Sequence, residues 1–258
     1  MPKAPDATSF RPQRFELKAT SPPTSPHPKT QDSPPRVPPL ASPPNMSVPA
    51  ELISRLTNPG LIAVVRARTE AQVPALAEAL VAGGLTCIEV TTTTPNFLAA
   101  IRATRARIGN RGLVGVGTIL DIPTCQAALE AGAEFVVSPI SRVELVPVCH
   151  AAGKPVMLGA YTPSECQRVH ESGADFVKLF PADTLGPNYV KALRAPLPHL
   201  RIVPTGGVDL KTAPEFLKAG CVALGVGSSL LKAEILQSED WPALTALARQ
   251  FVEAVSKK

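Results

Sequence analysis

Apolar residues fall along this chain in two alternating rhythms. Short, nearly unbroken apolar runs occupy 61–66, 87–94, 113–119, 135–138, 156–160, 175–182, 201–205 and 222–226. Runs of this kind, bounded by turn residues, predict strands buried on both faces. Between them, apolar positions recur three and four apart. That spacing predicts helices over about 69–82, 95–108, 123–131, 143–152, 163–172, 187–193 and 210–219, with a last helical stretch that includes 241–255. Four helices end in the same punctuation, Ala82-Gly83, Ala131-Gly132, Ser172-Gly173 and Ala219-Gly220. Glycine in that place is expected to take the left-handed position after the last helical residue. Eight strand–helix units in about 210 residues predict an α/β fold of (β/α)8 barrel type in a single domain. A doubly wound open sheet needs no eighth unit and usually opens on a glycine-rich fingerprint, which this sequence lacks.

The first 46 residues break this pattern. Positions 1–45 hold 13 of the 29 prolines, with many serines and threonines and few apolar residues. Such a segment buries too little surface to offset its ordering entropy, so a disordered tail is expected over 1–46 and the barrel over 47–258. The tail has no apolar core of a secretory signal, and Met46 is an alternative candidate for the first residue. The net charge of +5 is scattered, without basic runs or interleaved aromatics, so no nucleic-acid partner is expected. No apolar stretch is long enough to span a membrane. Cys87, Cys125, Cys149, Cys166 and Cys221 show no C-x-x-C spacing. They read as reduced, buried residues of a cytoplasmic protein. The histidines offer no metal-ligand spacing, and no metal is expected.

One strand carries a charge that needs a reason. Lys178 lies in the middle of the run Asp175-Phe-Val-Lys-Leu-Phe-Pro-Ala182. Burial disfavours the charged form of an amine, and a neutral amine attacks carbonyls. The alternative is a lysine that reaches the strand end or pairs with a carboxylate. In a (β/α)8 barrel, chemistry sits at the C-terminal ends of the strands. Reading those ends collects Arg66, Glu89, Thr118, Pro139, Lys178, Thr205-Gly206-Gly207 and Gly227-Ser228. Glu89 shares a strand face with Thr91 and Thr93, and strands 2 and 6 lie across a barrel from one another. Glu89 and Lys178 are therefore expected to meet, as an acid–base and nucleophile pair or as a plain ion pair. The glycine-rich turns after strands 7 and 8 fit a phosphate site, or ordinary turns. Arg66 reads as an anion ligand or a surface partner of Glu70. Thr118, after Gly115-Val-Gly117, reads as a hydrogen-bond donor to substrate, and the glycines as relief of crowding in the barrel.

Several motifs carry a resemblance. Ile88-Glu-Val-Thr91, Gly115-Val-Gly-Thr-Ile-Leu120, Ser138-Pro139, Thr162-Pro-Ser-Glu165, Phe176-Val-Lys-Leu-Phe-Pro-Ala182 and Pro204-Thr-Gly-Gly-Val208 resemble the 2-keto-3-deoxy-6-phosphogluconate (KDPG) aldolase family, which includes 6-phosphogalactonate and 4-hydroxy-2-oxoglutarate aldolases. The resemblance runs from about Leu52 to the end of the chain. It implies a metal-free class I aldolase without cofactor, usually a homotrimer, that cleaves a 2-keto-3-deoxy sugar acid phosphate to pyruvate and glyceraldehyde 3-phosphate. It implies Lys178 as the Schiff-base residue and Glu89 as general acid/base. Thr118 and Pro139 would line the pyruvate site, and Gly206, Gly207 and Ser228 would hold the phosphate. Thr93, Phe180 and Thr205 complete the expected substrate-binding set. Two positions depart from the pattern. Many members carry an arginine where this chain has Thr93, whereas galactonate-type members have one at the end of strand 1, where Arg66 stands. Arg66 is therefore expected to take over anion binding. Ile140 replaces a glycine common after Ser-Pro. The alternatives are 4-hydroxy-2-oxoglutarate as substrate, another phosphate-binding barrel such as a thiamine-phosphate synthase, and a non-catalytic sugar-phosphate-binding barrel.

Overall fold

The computed structural model describes residues 48–256. The expected disordered tail and the domain boundary at 46/47 lie outside the described residues. The strands are β1 Leu61–Val65, β2 Cys87–Thr91, β3 Leu113–Gly117, β4 Val136–Val137, β5 Val156–Ala160, β6 Phe176–Leu179, β7 Ile202–Pro204 and β8 Leu224–Val226. Helices α2 Gln72–Ala82, α3 Phe97–Ile108, α4 Ile122–Glu130, α5 Leu145–Ala151, α6 Pro163–Glu171, α7 Gly186–Arg194 and α8 Thr212–Lys218 each connect one strand to the next. The sheet is parallel throughout, in the order β7-β6-β5-β4-β3-β2-β1-β8. A parallel bridge between Thr205 and Gly225 joins its two ends, with Val222 N donating to Ile202 O at 3.0 Å just below. The sheet is thus closed into the (β/α)8 barrel that the eight-fold alternation predicts.

The pleat of each strand sorts its side chains into two cores. Inside the barrel, Ile62, Cys87, Leu113, Phe135, Val137, Met157, Phe176, Val203 and Ala223 pack together. Outside it, residues such as Ala63, Ile88, Val114, Leu158, Val177 and Leu224 meet the helices. Helix α1 Ala50–Thr57 is not anticipated by the sequence pattern, because eight residues are too few to establish a period. It belongs to the inner core: Leu56 is fully buried against it, and Leu52 and Ile53 pack alongside. The chain beyond β8 forms two helices, α9 Ala233–Ser238 and α10 Trp241–Ser256.

The repeated helix-ending glycines behave as expected at Gly132, Gly173 and Gly220, all at positive φ. Gly83 does not. Its φ is −82°, and Gly84 at φ +88° takes the left-handed position instead. Gly83 is required for space. A Cβ there would come within 2.6 Å of Ala248 Cβ and 2.7 Å of Thr245 O, both on α10.

Candidate active site

Phe176 faces the inner core, so Lys178, two residues along β6, points the same way. Cys87 does the same for Glu89 on β2. The two charged side chains meet across the barrel, with Lys178 Nζ 3.6 Å from Glu89 Oε1 and side-chain exposures of 6% and 3%. Glu89 Oε1 is buried and accepts no hydrogen bond from the described residues. An unsatisfied buried acceptor costs free energy, on the order of 1–3 kcal/mol. Such a group is well placed to exchange a proton with anything the amine binds.

The neighbouring strands make room for this pair. Gly117 pairs in register with Thr91, and a Cβ on it would overlap the Glu89 carboxyl group. A Cβ on Gly115 would sit 2.5 Å from the Phe135 ring. Both glycines therefore relieve crowding in the interior, and at Gly117 the group they admit is the carboxylate itself. On the other side of the barrel, Gly159 pairs with Lys178, and a Cβ there would overlap the Pro139 carbonyl. The loop after β4 leans onto β5 at this level. Gly159 N donates to Ile140 O at 3.1 Å and Ser141 Oγ to Gly159 O at 2.7 Å. Half-buried Pro139 is thereby carried to the height of the lysine. The Phe180 ring, 38% exposed, has its centroid 5.4 Å from Lys178 Nζ, within cation–π range.

Arg66 and Thr93 come together at the ends of β1 and β2. Arg66 Nε donates to Thr93 Oγ1 at 3.0 Å, and Thr93 Oγ1 lies 2.8 Å from Thr91 Oγ1. Glu70, the other partner considered for Arg66, accepts instead from Asn96 Nδ2 at 3.2 Å. That bond and the backbone hold its carboxyl below the usual range, the backbone most strongly. Thr118 follows β3 at φ +66°, where a β-branched residue is strained. Its carbonyl accepts from Thr92 Oγ1 at 3.1 Å, and Ile119 N donates to Val137 O at 3.1 Å. The backbone is clamped on both sides of the strained residue.

Thr205, Gly206, Gly207 and Ser228 lie together where β7 and β8 end. Thr205 is nearly buried, and its hydroxyl occupies the space over Gly225. Gly206 and Gly207 have φ of +98° and +67°. A Cβ on Gly207 would also press to 2.7 Å from Asp183 Cα. The bridge between Thr205 and Gly225 engages the Gly206 N–H, whereas the N–H groups of Gly207 and Ser228 donate to no acceptor among the described residues. Free N–H groups that converge from glycine-rich turns form an anion-binding concavity. Thr212 Oγ1 donates to Gly207 O at 2.8 Å, and Ser229 Oγ to Val208 O, which ties the two loops together. Sequence reasoning missed Asp183 and Thr212, as well as the spatial role of Gly159, and it did not tell which group Gly117 makes room for. Register across strands would have revealed these, but pattern along one strand does not contain it.

The other features of the described residues offer less chemistry. A cavity of about 890 Å³ lies at the opposite end of the barrel, lined by Asn58, Pro59, Arg201 and Cys221 among others, remote from the lysine. All five cysteines are free and buried. Burial pushes the Cys87 and Cys221 thiols up to about 12 and Cys166 to about 11. Among the described residues no three His, Cys, Asp or Glu side chains converge as a metal-ligand set, and no helix is long and apolar enough to cross a membrane.

A closed barrel with a lysine and a carboxylate buried side by side offers an amine and an acid at the strand ends where barrels of this class carry out their chemistry. Comparison with known proteins narrows this. The chain belongs to the KDPG and KHG aldolase family, whose model matches residues 52–247. It is 38% identical over 189 residues to the 2-dehydro-3-deoxy-phosphogluconate aldolase of Treponema pallidum, covering 73% of this chain and 89% of that one. It is 30% identical to the 2-dehydro-3-deoxy-6-phosphogalactonate aldolase of Escherichia coli K12, covering 76% and 96%. Among solved structures, the KDPG aldolase of Legionella pneumophila with pyruvate captured as a covalent carbinolamine matches at a TM-score of 0.70 and 28% identity, over 75% of this chain and 95% of that one.

Proposed function

We propose that this protein reversibly cleaves a 2-dehydro-3-deoxy-6-phospho sugar acid, the gluconate or its galactonate epimer, to pyruvate and D-glyceraldehyde 3-phosphate. The observation that carries this reading is the Lys178–Glu89 pair, 3.6 Å apart and almost wholly buried. Lys178 Nζ adds to the C2 carbonyl to give a carbinolamine, and loss of water leaves an iminium. Glu89 takes the proton of the C4 hydroxyl through a bridging water. The C3–C4 bond breaks, its electrons pass into the iminium, and glyceraldehyde 3-phosphate departs. The resulting enamine is protonated at C3 and hydrolysed, which releases pyruvate and restores the amine. The covalent carbinolamine formed by pyruvate in the Legionella relative supports the first step. Thr118, Pro139 and Phe180 would border the pyruvyl half. Thr205, Gly206 and the free N–H groups of Gly207 and Ser228 would receive the phosphate.

Borohydride reduction in the presence of pyruvate is the test. An adduct on Lys178 is the expected outcome, and a protein that stays unmodified sinks the mechanism. A non-catalytic barrel would bind sugar phosphate equally well after Lys178→Ala and turn nothing over. Relatives named KHG/KDPG aldolase favour 4-hydroxy-2-oxoglutarate as a second substrate. The free N–H groups favour the phosphorylated acid, and comparison of kcat/KM for the two decides. We propose further that three copies assemble and that the protein works in the cytoplasm. Leu120, Ile140 and Phe180, 38–46% exposed beside the mouth, support an interface, and the free thiols support a reducing compartment.

A further inference from the structure

We propose that Thr91 and Thr93 are positioning residues. They form a one-way hydrogen-bond relay that holds the Arg66 guanidinium as the anchor for a substrate carboxylate, and Thr93 itself is no substrate ligand. The carboxylate half of this inference rests on the aldolase reading above.

The direction of the relay follows from counting protons. Thr91 Oγ1 donates to the Val65 carbonyl at 3.0 Å, and a carbonyl oxygen only accepts. A hydroxyl has one proton, so Thr91 has none left for its 2.8 Å contact with Thr93. In that contact Thr93 donates. Thr93 in turn accepts from Arg66 Nε at 3.0 Å. Every hydroxyl therefore gives one bond and takes one, from Arg66 through Thr93 and Thr91 to Val65. The relay leaves β1 at Arg66 and returns to it at Val65, so the end of β2 is laced to the end of β1. Successive bonds in such a chain polarise one another.

Burial is graded along the relay. Thr91 is 1% exposed, so water does not compete at its base. Arg66 and Thr93 are exposed, so an anion can reach the guanidinium. The group is planar, and fixing its Nε–H fixes the plane. The two terminal nitrogens remain, and their parallel N–H bonds match both oxygens of a carboxylate. None of the ion pairs among the described residues involves Arg66, so no protein carboxylate competes for that edge. The relay thus makes a long, flexible side chain on the rim into an oriented anion ligand. Its base, Thr91, lies on the same face of β2 as Glu89, which links anion binding to the strand that carries the acid–base group.

The test uses the full chain and four variants: Thr93→Val, Thr93→Ser, Arg66→Ala, and Arg66→Ala combined with Thr93→Val. Losing the orientation of a charged hydrogen-bonding group is expected to raise KM for 2-dehydro-3-deoxy-6-phosphogluconate about tenfold or more in Thr93→Val, with kcat changed less than about threefold. Thr93→Ser keeps the hydroxyl and restores KM. The double variant is no worse than Arg66→Ala, because Thr93 acts only through the arginine. Additive losses in the double variant, or a Thr93→Val protein with the parent KM, overturn the proposal. Proton–nitrogen NMR of the Arg66 Nε–H gives a readout independent of turnover. A slowly exchanging resonance is expected in the parent and Thr93→Ser, and its loss in Thr93→Val. If the parent does not turn over the acid, the aldolase reading fails and the relay is judged on this resonance alone. The same exchange rate in all three proteins then overturns it.

Discussion

Glu89 keeps its place because Gly117, beside it on β3, has no side chain to compete for the space. The acid–base role proposed for Glu89 therefore depends on an atom that is missing as much as on those present. Gly117→Ala is expected to displace the carboxyl group and to cost stability of about 1–3 kcal/mol from overpacking. Its kcat should fall with that of Glu89→Gln, for which general acid–base catalysis predicts a loss of about 10²–10⁴-fold. The check is steady-state kinetics of both variants beside their melting curves. A Gly117→Ala enzyme with parental kcat would show that the carboxylate tolerates the shift. Lys178→Ala should lose the borohydride adduct altogether and lower kcat at least about a thousandfold. Both residues are legible in the sequence, since a charge inside an apolar strand is conspicuous. The hydroxyl relay is less so. Thr91 and Thr93 share a face by simple alternation, but their link to Arg66 crosses from one strand to the next.

At the scale of elements, α1 and α6 show two different sources of helical order. Helix α6 is written locally. Thr162 caps it, Glu165 reaches back to the Thr162 N–H, and Pro163 fills the first turn. Backbone N–H groups of Thr162 and then Tyr161 hold the Glu165 carboxyl below its usual range. Thr162→Ala should cost about 1 kcal/mol, read as a lower melting temperature. Because the folded-state value of Glu165 is depressed, its contribution is present above the ordinary carboxylate range and is lost as pH falls through the depressed value. Helix α1 is defined by what it covers. Leu56 meets the inner core directly, and Leu56→Ala should destabilise by about 2–5 kcal/mol. Its kinetic constants should stay parental, because α1 packs on the hydrophobic core and not on the mouth. Parental stability in urea melts would contradict the place of Leu56 in the inner core.

At the scale of the whole molecule, the buried thiols make stability depend on alkaline pH. Burial raises Cys87 and Cys221 from 9.0 to about 12 and Cys166 from 9.0 to about 11. Between those values the unfolded chain loses protons that the folded one keeps. The contribution is therefore complete below about 9 and lost as pH rises toward 12. Denaturant melts at rising pH should fall steeply over that window, and a variant with all three cysteines changed to alanine should fall less steeply. Assembly belongs to the same scale. Light scattering should report three copies, and Ile140→Glu with Leu120→Glu should release monomers if the exposed apolar residues at the mouth form the interface.

Eight strands, their order and the charge inside the sixth were determined by the sequence itself. Local alternation decides which segments bury both faces, and right-handed parallel crossovers leave few ways to connect them. Only the tertiary structure decided what those residues meet. Closure of the barrel puts Lys178 beside Glu89, sets Gly117 and Gly159 opposite the groups they admit, and packs α10 so closely on Gly83 that only glycine fits there, while Gly84 takes the left-handed turn. The physical reason is the same in each case. Periodicity records the environment of a residue along its own strand or helix, whereas the space and partners available to a side chain are set by neighbours distant in sequence.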